Sequence, residues 1–128
     1  MSQRQEVLFR QSMHVEKPFL NIARIYPLSQ RGVELIVRHA ETVPKCERVL
    51  VFGSSVTTGC HNYSDIDIYV EGCSVSEFGS FPLDSYNTEV DIISSLNVTP
   101  GSDLWNEIWF KGVCVYDKQF SHQSYSKV

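Results

Sequence analysis

The spacing of apolar residues predicts a first core helix that begins near Ser29 and ends before Pro44. Apolar side chains recur at intervals of three and four residues, which places them on one face of a helix. They are Val33, Ile36, Val37 and Ala40. Proline has no backbone N–H and its ring clashes with the preceding turn, so the helix ends ahead of Pro44.

The same spacing predicts a second core helix between Ser102 and Gly112. Pro100 and Gly101 form a turn ahead of it, and the hydroxyl of Ser102 can cap the first helical amides. Its apolar stripe consists of Leu104, Trp105, Ile108 and Trp109. A glycine such as Gly112 is typical of the position that follows a helix.

Four segments have the patterns of β-strands. Residues 48–52 include a continuous apolar run that suits a strand buried on both faces, and residues 113–116 form a final strand. Residues 64–71 and 88–94 alternate between apolar and polar side chains. Because successive side chains of a strand point to opposite faces, each of these two strands has one apolar and one polar face.

The segments between and outside these elements predict the limits of one domain. Residues 72–87 are rich in Gly, Ser and Pro and predict a loop with a short helix at 75–78. Residues 1–28 show only weak periodicity and are interpreted as an N-terminal extension, and residues 118–128 as a polar tail. The domain itself is predicted at 29–117, and a chain of 128 residues suits a single core.

The charges of the chain are divided unevenly. Residues 1–48 carry eight Lys and Arg against five acids, whereas residues 49–128 carry three against ten. This distribution offers no basic surface for nucleic acid, so we expect no nucleic-acid partner. No apolar run is long enough for a membrane span or a secretory signal, which predicts a cytoplasmic protein. The four cysteines form no CxxC pair and are expected to be free thiols.

Three aspartates occupy the polar faces of the two alternating strands. Asp65 and Asp67 are two residues apart, which is about 6.5 Å along one face of a strand. Asp91 adds a third carboxylate if its strand lies beside theirs. Such carboxylates repel one another unless a cation is bound, so the cluster predicts a metal site. Solvated surface acids are the alternative.

A Gly-Ser turn follows the buried strand 48–52. Gly53 allows the chain to turn sharply, while Ser54 and Ser55 place hydroxyl and amide donors at the point where a short helix would begin. This turn can bind phosphate, together with Ser64 just ahead of the aspartates. An ordinary strand-to-helix connection is the alternative.

These residues resemble the signature of the polymerase-beta-type nucleotidyltransferases, and most closely their minimal members. Gly53, Ser54, Asp65, Asp67 and Asp91 match that signature position by position, within residues 29–117. The resemblance implies a nucleotidyltransferase fold of the α/β (α+β) class, with a small mixed sheet of four or five strands and helices packed on one face.

The resemblance also implies a reaction and its cofactors. Asp65, Asp67 and Asp91 would be the catalytic residues and would hold two Mg²⁺ ions. ATP would be the nucleotide donor, and AMP would pass from it to an acceptor hydroxyl. Many relatives carry an arginine shortly after Gly-Ser, and this chain has none there. His61 or a lysine could replace that cation.

The acceptor is the most open part of this prediction. A HEPN-type toxin is the favoured partner, which would make the chain an antitoxin, and a homodimer could complete the acceptor site instead. The alternatives are a small-molecule adenylyltransferase with an aminoglycoside-like acceptor, and a non-catalytic module that binds nucleotide or masks a toxin by contact.

Overall fold

A four-stranded sheet organises the computed structural model, which describes residues 15, 17–56, 65–79 and 89–120. The helices and strands, in chain order, are α1 Pro27–Glu41, β1 Arg48–Phe52, β2 Ile66–Glu71, α2 Val75–Phe78, β3 Val90–Ser94, α3 Asp103–Lys111 and β4 Val113–Asp117. Short 3-10 helices lie at Ile22–Arg24, Gly53–Val56 and Ser95–Asn97. The predicted α/β fold class with a small mixed sheet is confirmed.

The strand order is β3-β2-β1-β4, and the directions are mixed. β1 runs antiparallel to both β2 and β4, whereas β2 and β3 are parallel neighbours. In the β1–β2 pair, Phe52 lies opposite Asp67, so the turn after β1 emerges beside the start of β2. This register brings the Gly-Ser turn to the aspartates.

α1 covers one face of the sheet. Its apolar stripe packs on the inward-facing side chains of the strands to form the larger of two cores. The fully buried members of this core include Val33, Ile36, Val49, Val51, Ile68, Val70 and Val115. The stripe read from the sequence is therefore the side of α1 that faces the sheet.

α3 covers the opposite face, where the structure differs from the prediction that the helices pack on one face. A second core joins Ile108 of α3 to Leu50, Phe52 and Tyr69 of the sheet, with Trp109 against it. The reason is the composition of β1, whose alternate residues are apolar on both sides. Each face of that strand has to be covered, and α1 covers only one.

Part of the predicted N-terminal extension belongs to the packed domain. Phe19 and Ile25 are buried in the larger core, and α1 begins at Pro27 rather than at Ser29. The carboxylate of the buried Glu34 in α1 accepts a hydrogen bond from the backbone N–H of Lys17 and also pairs with arginines of its own helix. Phe19 and Ile25 do not follow helical or strand spacing, so the sequence pattern does not show that they are buried in the core.

The predicted cap at Ser102 and the predicted short helix at 75–78 are both present. The hydroxyl of Ser102 accepts a hydrogen bond from the amide of Trp105 at the start of α3. Ser74 and Glu77 form a reciprocal capping pair that begins the short helix α2. Cys46, Cys73 and Cys114 are free thiols, and burial raises the pKa of Cys46 to about 12. In the described part of the chain, no helix has the length and apolarity of a membrane span.

The second core provides a test of the position of α3. Ile108 is fully buried, whereas Leu104 on the same helix is 38% exposed. We expect Ile108→Ala to lower the free energy of unfolding by about 2–5 kcal/mol through lost burial and the cavity left behind. Leu104→Ala should cost less than about 1 kcal/mol. Urea unfolding measures both, and equal losses would contradict this packing.

Candidate functional site

Asp67 and Asp91 lie side by side at the same register of the parallel strands β2 and β3. Residues at matching positions of neighbouring strands point to the same face. Here that face is the one covered by α3, because Tyr69, two residues after Asp67, belongs to the core beneath that helix. The sheet therefore brings together two acids that are 24 positions apart in the sequence.

The environment of Asp67 favours its protonated form. Burial raises the pKa of Asp67 to about 6, and the neighbouring charge of Asp91, a hydrogen bond between the two carboxyl groups, and the charges of Asp65 and Glu107 act in the same direction. A hydrogen bond between two carboxyl groups requires one of them to hold a proton. Below about pH 6 the pair accommodates its mutual repulsion by holding a proton, and a bound cation could take that proton's place.

Asp65 stands at the edge of this pair. It is exposed and precedes the first residue of β2, yet it is near enough for its charge to raise the pKa of Asp67. Among the described residues, no group of three or more His, Cys, Asp or Glu side chains is arranged to hold a metal ion. The protein side of the site therefore consists of the Asp67–Asp91 pair, with Asp65 beside it.

Glu107 is a further acid at the site that sequence reasoning missed. It lies on α3 and is exposed, and its charge contributes to the raised pKa of Asp67. Nothing in its neighbourhood along the chain distinguishes it from an ordinary solvated residue of a helix surface. It becomes part of the site only because α3 packs across the face that carries the aspartates.

Gly53 makes room for the carboxyl group of Asp67. Its backbone has a φ of 75°, and a Cβ atom at this position would lie 2.4 Å from Oδ2 of Asp67. Real side chains do not approach that closely, so the glycine is needed both for the turn and for the close approach. The predicted turn is thus in direct contact with the predicted acids.

The serines after Gly53 have different environments. Ser54 is partly exposed, whereas Ser55 is completely buried. The hydroxyl of Ser55 lies 3.0 Å from that of Ser29 in α1, and its carbonyl accepts a hydrogen bond from the backbone N–H of Tyr26. The side chain of Ser55 therefore holds the turn against α1, and the predicted phosphate contact of Ser55 stays a prediction. Ser64 and His61 lie outside the described residues.

The arrangement suits a hard cation that is shared with phosphate. Magnesium is usually held by one or two carboxylates, with phosphate oxygens and water completing its coordination. Asp67 and Asp91 supply two carboxylates, and the Gly53–Val56 turn beside them can present backbone amides to an anion. The acids and the turn therefore have the chemistry required for a nucleoside triphosphate and its metal.

Comparison with known proteins adds little to this geometry. No protein-family model and no curated protein matches the sequence. Among solved structures, the chain is similar to a crystal structure of a mutant of the toxin–antitoxin MntA-HpeT, with 15% identity, a TM-score of 0.46, and coverage of 75% of this chain and 79% of that chain. A similarity of this size leaves the chemistry of the chain open.

The raised pKa of Asp67 predicts how stability depends on pH. Because the native state holds this proton more tightly than the unfolded chain does, the contribution of Asp67 to stability falls as pH rises from about 4 to about 6 and then levels off. Asp67→Asn removes this titration. At pH 7.5 we expect the free energy of unfolding of Asp67→Asn to exceed that of the native protein by about 1 kcal/mol, a value that allows for solvent screening of this partly exposed group. At pH 4 the difference should be smaller. Urea unfolding across this pH range measures the difference, and a difference that does not change with pH would contradict it.

Substitution of Gly53 tests the contact with Asp67. Gly101 offers a matched control, since its φ is 84° and no atom lies within 4 Å of the added Cβ. Both alanine variants should lose about 1–2 kcal/mol for the left-handed backbone. Only Gly53→Ala should also push the carboxyl group of Asp67 away from Asp91 and lower its pKa toward the ordinary value. Carboxyl-detected NMR titration measures that pKa, and an unchanged value in Gly53→Ala would refute the contact.

Proposed function

We propose that this chain is a magnesium-dependent nucleotidyltransferase that transfers AMP from ATP to an acceptor hydroxyl. The observation that carries the proposal is the pairing of Asp67 with Asp91 at one register, in contact with the Gly53 turn. A pair of surface acids without a ligand would gain by separating into solvent. Here the packing holds the acids together at a cost that a bound cation would remove.

Five residues of the site have proposed roles in this reaction. Asp67 and Asp91 would hold magnesium, with Asp65 beside them, and Gly53 and Ser54 would bind the phosphates of ATP. Magnesium, when bound, would neutralise charge on the phosphate oxygens and on the departing pyrophosphate. Asp91 is exposed, and it would accept the proton of the acceptor hydroxyl. The acceptor oxygen then forms a bond to the α-phosphorus as the bond to the pyrophosphate oxygen breaks.

The surface beside the acids favours a protein acceptor. Glu107 and Phe110 are three residues apart and share one face of α3. The charge of Glu107 reaches Asp67, and Phe110 is 85% exposed. An exposed phenylalanine on the same helix face as Glu107 offers an apolar contact of the kind found in protein interfaces. We therefore propose a protein acceptor, with a HEPN-type toxin as the first candidate, so that the chain would act as its antitoxin.

Transfer of a label tests the proposal. Incubation with ATP labelled at the α-phosphate, magnesium and a HEPN-type partner should label the partner. Asp67→Asn and Asp91→Asn should each reduce the initial rate by at least about 100-fold, because each removes a charged ligand of the metal. Chelation of magnesium should stop the reaction in the native protein.

Two control variants sharpen the experiment. Asp103→Asn makes the same chemical change in an exposed acid at the first position of α3, and the rate should stay within twofold. Phe110→Ser should slow labelling of the partner while leaving the binding of Mg·ATP unchanged. Labelling that persists in both site variants would exclude the acids as the catalytic centre. Binding of Mg·ATP without transfer to any acceptor would instead favour a nucleotide-binding, toxin-masking module.

A further inference from the structure

A cavity of about 230 Å³ lies against the Gly-Ser turn, on the side that faces the N-terminal segment. It is lined by residues 23–27 together with Ser55 and Val56. A water molecule occupies about 30 Å³ in the liquid, so the cavity has room for a group the size of several waters. The turn proposed to bind phosphate therefore forms one wall of a pocket of its own.

The wall shared with the turn is held in place by three contacts. The backbone N–H of Tyr26 donates to the carbonyl of Ser55 at 2.9 Å, and the hydroxyls of Ser29 and Ser55 are 3.0 Å apart. The side-chain amide of Gln30 donates to the carbonyl of Ile25 at 3.0 Å. These contacts join residues 25–26 to both α1 and the turn.

Arg24 is the charged residue among those that line the cavity. It is exposed, and no aspartate or glutamate is among the lining residues. Within the described part of the chain, Arg24 forms no ion pair with an acid. Tyr26, which is 38% exposed, belongs to the same lining and carries a phenolic hydroxyl. A guanidinium group and a hydroxyl are donors that match a phosphate group.

We propose that this cavity binds phosphate of the donor triphosphate, and that Arg24 is the cationic residue that contacts it. This inference rests on the proposed function and adds a binding residue to it. Residues 56–59, which follow the Gly-Ser turn, contain no lysine or arginine. Arg24 is brought to the turn by the folding of the N-terminal segment and can supply a cation there.

Calorimetric titrations test whether the cavity binds the phosphates of the donor triphosphate. The probes are Mg·ATP, inorganic tripolyphosphate and AMP, each added to the full chain. Arg24→Ala should weaken the binding of Mg·ATP and of tripolyphosphate by about tenfold, which corresponds to the loss of one charge-assisted contact. AMP binding should change by less than twofold. Arg24→Lys, which keeps the charge without the fork of donors, should fall between the native protein and Arg24→Ala.

Lys118→Ala is a matched control that removes one positive charge far from the Gly-Ser turn. Lys118 follows Asp117, which pairs with Arg48 at the start of β1, whereas the turn follows the end of β1. Lys118→Ala should therefore leave all three affinities unchanged. Arg24 is exposed, and the melting temperature of Arg24→Ala checks that the fold is kept.

Two results would overturn the inference. The first is native-like binding of Mg·ATP and tripolyphosphate by Arg24→Ala, and the second is a loss confined to AMP. If Arg24→Ala binds like the native protein while Asp67→Asn loses magnesium-dependent transfer, the cavity assignment fails and the proposed function stands. If the native protein binds tripolyphosphate through Arg24 and transfers no nucleotide, the proposed function fails and the cavity remains a phosphate site.

Discussion

The parallel pairing of β2 with β3 is the constraint on which the candidate site depends. It sets Asp67 directly beside Asp91 and points both carboxyl groups to one face of the sheet. The repulsion between these groups and the burial of Asp67 oppose the pairing, as the raised pKa of Asp67 records. The rest of the fold holds the strands in register against this repulsion. The repulsion between the two carboxyl groups lowers the stability of the protein, and a bound cation would restore that stability.

The two cores hold that register from both sides. On the face covered by α1, the inward-facing side chains of β2 are almost fully buried, and a shift of one residue would turn them toward the acids' face. On the other face, Ile108 and Trp109 of α3 pack beside Tyr69, two residues beyond Asp67. α3 thereby covers part of the face that carries the acids, which brings Glu107 close enough to affect the pKa of Asp67.

The Gly53 turn joins the acids to the N-terminal part of the chain. Gly53 touches Asp67, while Ser55, two residues later, is bonded to Ser29 and to the backbone of Tyr26. A single turn therefore contacts the carboxylate pair and also forms part of the cavity that contains Arg24. The N-terminal segment has a structural part in the domain and supplies the basic residue nearest to the turn in that cavity.

The sequence by itself determined the local features of this protein. Alternation set the polar face that carries Asp67, the continuous apolar run of β1 set its bounds at Arg48–Phe52, and Ser102 marked the start of α3. These features depend on neighbours a few residues away, whose spacing is readable. Only the tertiary structure decided that α3 covers the face opposite α1. It also brings Glu107 near the acids and Arg24 to the pocket beside the turn. Periodicity shows that a face must be buried, but which distant segment buries it depends on how the whole chain packs.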